Sequence, residues 1–416
     1  MIENQLYRTY KLCIMDIFSF IDNPFLYNKK NSILSLIFHN YFKYSDIPVS
    51  IPIFAFFVCI SSILTRKGCK FSVPEASINE RTLDLWILLL ADSGCSKTYA
   101  SNRIIKLFPE GTLSPQIQNI VSEKALCLEM KRISSGLWVQ DEGLKFLLSV
   151  ENKNSPLQAV KPLLLELKTS GKYSRIHSKS EESIVLIDNA YSLLFLGTCR
   201  EFDLNKKMFK STYDGLFRRF QFVDGSDKLG RKMEDYALYR FPVEQTKHSE
   251  QRIKAVLDQE FFSNYEFKRE AIDLYETTFK ALFQREEKMY AKYGVDNGTY
   301  RTYMMETFKF AVIDHIINLK PGHIVDEHSL QTGLQIVVYL LNCYIHLLNE
   351  RKTNVFNTPN LETTNSTQLQ VDIKEKKLKR IIDYLQQNPT AKSRTICRLY
   401  GIKKEDLLKI KQHVFE

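Results

Sequence analysis

Six apolar residues run without interruption from Leu85 to Leu90. The run is too short to cross a bilayer and reads as a strand buried on both faces of a parallel sheet. Ala91 to Ser96 are small or polar, and Lys97 to Ile105 then has helical character. A second apolar run, Ile51 to Leu64, spans 14 residues and ends at Arg66-Lys67. A spanning helix needs ~20 residues, so this run is expected to be a buried helix. Gly68 closes it and Phe71 to Val73 follow as an extended segment, which makes 1–82 a helical lead-in to the sheet. Further strands are expected at Gly136–Gln140, Ser183–Ile187, Tyr191–Leu196 and up to Val223, with a break at Phe108–Thr112 and a turn at Asp188–Ala190. Residues 250–350 read as helices. Met305, Phe308, Ala311, Val312, His315 and Ile316 keep a 3-4 spacing, and Asp326 is placed to cap a helix carrying Leu330, Leu334, Val337 and Leu341. Residues 351–371 are rich in Asn and Thr without apolar period, a linker. From 372 to 416 the order is helix, helix, a turn at Gly401, helix.

Strand, small-residue loop, Lys97-Thr98, helix is the order of a P-loop. Backbone N–H groups of Asp92, Ser93, Gly94, Cys95 and Ser96 would cradle phosphates at the helix N-terminus. Lys97 would reach the β- and γ-phosphates of ATP, and the Thr98 hydroxyl would ligate Mg²⁺. Against G-x-x-x-x-G-K-[ST], Ala91 replaces the first glycine and Ser96 the second. Ser96 is the larger departure, because its side chain sits where the backbone must approach phosphate. Either that side chain crowds the site, or Ser96 takes a helical first-turn conformation with negative φ.

The strand ending in Asp141-Glu142 supplies the second half of such a site. Asp141 would hold Mg²⁺ through water, and Glu142 would orient and deprotonate the attacking water. Thr198 stands at the tip of another apolar strand, where a hydroxyl either senses the γ-phosphate or caps a helix. Arg218 and Arg219 precede a further strand, and an arginine there can act as a finger on a neighbouring subunit's nucleotide.

The net charge of +10 favours a polyanionic partner. From 372 to 416 there are twelve Lys/Arg against six Asp/Glu, so most of that excess sits in the helix-turn-helix-like segment, where Arg394, Lys403 and Lys404 are candidate DNA contacts. Lys172, Tyr173, Arg175 and Lys179 form a basic and aromatic stretch that suits single-stranded DNA: cations for phosphates, Tyr173 for base stacking. The eight cysteines form no C-x-x-C pair and no Cys/His cluster, which points to free thiols in a reducing compartment. Asp16 and Asp22 interrupt any signal-peptide pattern. A cytoplasmic protein without a membrane association is expected.

Taken in order, these elements resemble the P-loop ATPases of phage, plasmid and satellite replication proteins, from Pro52 to about Glu350. The resemblance rests on the apolar helical segment before the loop strand, on Asp141-Glu142, on Gly197-Thr198 and on Gly215-Leu216-Phe217-Arg218-Arg219-Phe220. The last also resembles the S-R-F element of minichromosome-maintenance helicases, which aligns the finger with Arg219. The resemblance implies an α/β fold with a ring-ATPase-like P-loop core at 83–245 and a helical lid at 246–350; the helix order and charge at 372–416 add a small all-α helix-turn-helix or winged-helix-like domain. It implies a homo-oligomeric ring, a hexamer favoured, that spends ATP to move along single-stranded DNA. Thr198 would be its γ-phosphate sensor, and a DNA-contacting hairpin would fall at 172–179. Family members are often fused to a primase; none is evident here, so a separate primase or initiator is the expected partner. The alternative is a nucleotide-binding initiator or DNA-binding regulator with weak or no ATPase activity.

Overall fold

A computed structural model describes residues 32–73, 78–113, 116–117, 120, 122–176, 183–187, 189–205, 215–226, 229–293 and 295–348. The chain divides into two units, 1–351 and 352–416. The expected linker and the helix-turn-helix segment with Arg394, Lys403 and Lys404 lie outside the described residues, as do Asp188 and residues 177–179, Lys179 among them.

The described part is α/β. Helices α1 (Ile33–Tyr44) and α2 (Ser50–Arg66) come first. The α2 helix is buried from Ser50 to Thr65, as its unbroken apolar run requires, and Gly68 ends it at φ +75°. Strands β1 (Lys70–Val73) and β2 (Ile78–Thr82) follow, then β3 (Trp86–Ala91), α3 (Lys97–Ile105), β4 (Gln116–Ile117), α4 (Glu123–Arg132) and β5 (Ser135–Gln140). Next are α5 (Gly143–Glu151), α6 (Val160–Ser170), β6 (Tyr173–Ile176), β7 (Ser183–Leu186), β8 (Ala190–Thr198), α7 (Cys199–Leu204) and β9 (Gln221–Asp224). The chain continues as α8 (Val243–Leu257), β10 (Asn264–Phe267), α9 (Arg269–Tyr293), α10 (Asn297–Ile317), β11 (Ile324–Val325) and α11 (Glu327–Leu348).

The main sheet has the order β4-β5-β8-β3-β9, and every pair in it is parallel. All six residues of β3 are buried, with strands on both sides and α2 across one face. The sheet's defining feature is β8, which lies between β3 and β5 although it follows both in sequence. Its contact with α5 is close. A Cβ on Gly197 would meet Leu144 Cβ at 2.7 Å, and one on Gly143 would meet Phe195 Cβ at 2.5 Å.

A second sheet, β11-β10-β1-β2, was not anticipated by the hydrophobic pattern. Strand β1 from the expected lead-in pairs in parallel with β10 from the expected lid, so the two regions share one sheet. The helices α10 and α11 pack on it and on β9. Gly333 allows them to touch, since a Cβ there would stand 2.4 Å from the Thr307 carbonyl oxygen. Asp326 caps α11 as expected, accepting from the Ser329 N–H at 2.8 Å.

Four buried charges join these layers. Lys168 at the end of α6 donates to Asp84 Oδ2 at 2.7 Å, while Lys309 of α10 donates to the Asp84 carbonyl at 2.8 Å and lies 3.2 Å from Glu306 Oε1. Burial disfavours the charge on Asp84, but the two lysines outweigh it and hold its carboxyl below the usual range. Among the described residues no helix is long and apolar enough to cross a membrane, and six cysteines are buried free thiols.

Candidate functional site

The C-terminal ends of β3, β8 and β5 bring the sequence-derived candidates together. The loop Asp92–Ser96 leaves β3 with Asp92, Ser93 and Gly94 exposed and Cys95 turned inward, 5% exposed. Gly94 has φ +87°, and the Cys95 N–H donates to the Asp92 carbonyl at 3.3 Å. Ser96 has φ 52° and ψ 32°, a left-handed conformation at the N-cap of α3. The alternative of a first-turn residue with negative φ is therefore corrected: the chain needs here the geometry for which glycine is the usual choice. The Ser96 side chain leans toward Tyr239, with its Oγ 3.2 Å from the phenol oxygen.

Two residues on, the Thr98 hydroxyl donates to Asp141 Oδ2 at 3.0 Å. The contact crosses from the first turn of α3 to the end of β5, over the tip of β8. Lys97 opens α3 and is half-buried. Strand register explains the convergence: Ala91 lies opposite Thr198, and Gln140 opposite Phe195. Thr198 is half-buried, and its Oγ1 accepts from the Glu201 N–H at 3.2 Å, so it does cap α7. Its position at the end of β8 puts it between the loop and the acidic pair.

Glu142 is exposed, with φ 57°, and forms an ion pair with Lys145 one turn along α5. The Asp141 side chain accepts from the Glu142 N–H at 3.1 Å. Sequence reasoning missed two groups here. The Lys145 ammonium is held above its usual pKa mainly by its bond to Glu142. The Glu201 carboxyl is raised by partial burial and then by the Glu142 charge. An acidic residue one turn into a helix behind Thr198 was the available signal for Glu201.

Arg219 is not part of this constellation. It lies in a short 3₁₀ turn before β9, at the opposite end of the sheet, and β9 starts level with Ile87. A strand rises ~3.3 Å per residue, which separates it from the loop by at least ~15 Å. Its guanidinium donates to the Gly215 carbonyl at 2.8 Å and to Thr169 Oγ1 at 2.9 Å. Arg218 pairs with Asp296.

The segment from Lys172 enters β6, which pairs antiparallel with β7 outside the main sheet, Tyr173 opposite Leu186 and Arg175 opposite Ile184. Lys172 is exposed. Tyr173 is corrected: it is 6% exposed and its phenol donates to Glu123 Oε1 at 2.6 Å, so its ring is committed to the core and cannot stack on a base. The signal was Tyr173 alternating with polar Lys172 and Ser174, which marks an inward strand position as readily as a binding one.

Among the described residues no three or more His, Cys, Asp or Glu side chains converge as a metal site. The Thr98 hydroxyl and Asp141 carboxylate are hard oxygen donors of the kind Mg²⁺ takes when phosphate and water supply its other ligands. No protein-family model and no curated protein matches the chain.

Proposed function

We propose that the chain is an ATP-driven DNA helicase or translocase with a P-loop core of the ring-ATPase kind, acting in replication of a phage, plasmid or satellite element. The observation that carries the reading is the Thr98–Asp141 hydrogen bond across the tip of an intervening strand. It joins the hydroxyl that follows Lys97 to the first carboxylate of the acidic pair, the two protein ligands such a site offers to a phosphate-bound Mg²⁺. When bound, the ion neutralises charge on the β- and γ-oxygens. Lys97 and the amides of Asp92–Ser96 hold the phosphates. Glu142 takes the proton of the attacking water, which requires its carboxylate to leave Lys145. Thr198 faces the γ-phosphate from the tip of β8.

The distance of Arg219 from its own loop supports a role at a neighbour's nucleotide, and hence a homo-oligomeric ring. In this reading Lys172, Arg175 of β6 and Lys179 are the DNA contacts of the motor, and Arg394, Lys403 and Lys404 those of a C-terminal helix-turn-helix domain. A second reading, a nucleotide-switched initiator with little turnover, draws support from the left-handed Ser96 and from the Glu142–Lys145 pair. ATP turnover with and without single-stranded DNA separates the two. The motor reading requires stimulation by DNA, loss of ATP binding in Lys97→Ala, and retained binding without turnover in Glu142→Gln. ATP affinity unchanged by Lys97→Ala sinks the assignment of the loop.

A further inference from the structure

The loop has two flanks. On one, Thr98 reaches Asp141, the metal side of the proposed site. Successive helix residues are set about 100° apart, and Tyr99 accordingly points elsewhere. It is 44% exposed, although among the described residues most large aromatic rings are buried. Its ring lies 5.6 Å from that of Tyr239, at an interplanar angle of 37°. Helical side chains lean toward the N-terminus of their helix, so the Tyr99 ring covers the turn next to Ser96.

Tyr239 is tied in place. Its phenol donates to Asp46 Oδ1 at 2.9 Å, and Asp46 is a buried carboxylate between α1 and α2. With that proton committed, the Ser96 hydroxyl is left to donate to the phenol oxygen at 3.2 Å. The chain Ser96–Tyr239–Asp46 thus links the loop to an aromatic residue from the segment between β9 and α8, and to the N-terminal helices. The backbone of that segment is anchored separately: Arg231 donates to the carbonyls of Tyr41 and Ser45 at 2.8 Å and of Ile47 at 2.9 Å.

We propose that Tyr99, backed by Tyr239, is the wall on which the nucleobase of the bound nucleotide stacks. The inference rests on the nucleotide reading given above. With the phosphates in the loop and the metal at Thr98, the nucleoside leaves by the opposite flank, and the exposed face there is the Tyr99 ring. Ser96, the residue that breaks the glycine pattern, is then the bracket that fixes the wall to the loop. A glycine could adopt the same backbone conformation but could not make that bond.

The test compares ATP with inorganic tripolyphosphate, each with Mg²⁺, by calorimetry on the full chain. The two ligands share the phosphates and differ in the nucleoside. Tyr99→Ala is expected to weaken ATP about 10-fold, the scale of one base–aromatic stack, and to leave tripolyphosphate unchanged. Tyr99→Phe, which keeps the ring, is expected to restore ATP binding. Equal losses for both ligands in Tyr99→Ala would assign the ring a structural role and overturn the wall. Unchanged ATP affinity in that variant also overturns it, with the nucleotide site itself left standing. Wild-type protein that binds tripolyphosphate as tightly as ATP argues against any base contact. Wild-type protein that binds neither removes the nucleotide reading and the wall together.

Discussion

Replacing Ser96 by alanine and by glycine tests the left-handed loop conformation through the sign of a stability difference. A non-glycine residue in this region costs roughly 1–2 kcal/mol, and Ser96 has φ 52°. Its hydroxyl recovers part of that through Tyr239, at about 1 kcal/mol for a hydrogen bond of ordinary worth. Ser96→Ala keeps the strain and loses the bond, so it should be about 1 kcal/mol less stable than wild type. Ser96→Gly loses the bond and ~0.5–1 kcal/mol of chain entropy but sheds the strain, so it should lie near wild type. The glycine variant should therefore exceed the alanine variant by about 0.5–1 kcal/mol. In an ordinary helical position the order is the reverse, alanine being better by ~1 kcal/mol. Urea unfolding of the three proteins measures the difference. An alanine variant as stable as the glycine variant, or more so, would show that φ at this position is negative, and an alanine variant as stable as wild type would show that the bracket to Tyr239 contributes nothing.

Gly197→Ala forces a Cβ to within 2.7 Å of Leu144 Cβ; overpacking of this kind costs about 1–3 kcal/mol. The shift of α5 away from β8 should also lower any ATP turnover by displacing Glu142, readable in a phosphate-release assay. Lys168→Met leaves Asp84 with one lysine fewer in a fully buried setting and should cost about 3–5 kcal/mol in urea unfolding; a loss under 1 kcal/mol would mean that the charges are hydrated. Asp326 has its carboxyl lowered to about 2: burial opposes the shift, and bonds to Lys320 and the Ser329 N–H outweigh it. Because the folded pKa lies below the unfolded one, its stabilising contribution is complete above pH ~4 and is lost as pH falls toward 2. Asp326→Asn should flatten that part of the stability–pH curve.

Much of the sheet could be read from the chain because its strands are buried on both faces. Runs such as Leu85–Leu90 and Tyr191–Leu196 carry no polar interruption beyond Ser192, and no other element of that length explains them. The α2 helix and the Asp326 cap were legible for similar local reasons. Strands β10 and β11 were not, being four and two residues long. Asn264 and Glu266 alternate with apolar neighbours, but their partner lies far back in the chain, Asn264 reaching Ser72 of β1 across 192 residues. The site divides along the same line. Lys97, Thr98 and Asp141 are named by local pattern, whereas the partners that orient them come from afar. Tyr239 reaches Ser96 across 143 residues, and Glu123 takes Tyr173 out of play across 50. Neither distance leaves a periodic trace.

The parallel pairing of β1 with β10 and the burial of α2 beneath the main sheet have a consequence for synthesis. The α2 helix leaves the ribosome long before most of the surfaces that cover it, since β8 ends at Thr198, β9 at Asp224, and Tyr339 of α11, which stacks on Phe54, comes later still. At 5–20 residues per second, the nascent chain carries this apolar helix without its full cover for roughly 10–50 s. An open parallel sheet cannot shelter it earlier, because β8 must insert between two strands already made and β9 must then add to the edge of β3. The longest exposure of α2 thus falls during the protein's own translation, when the helix is an adhesive apolar segment still waiting for its cover.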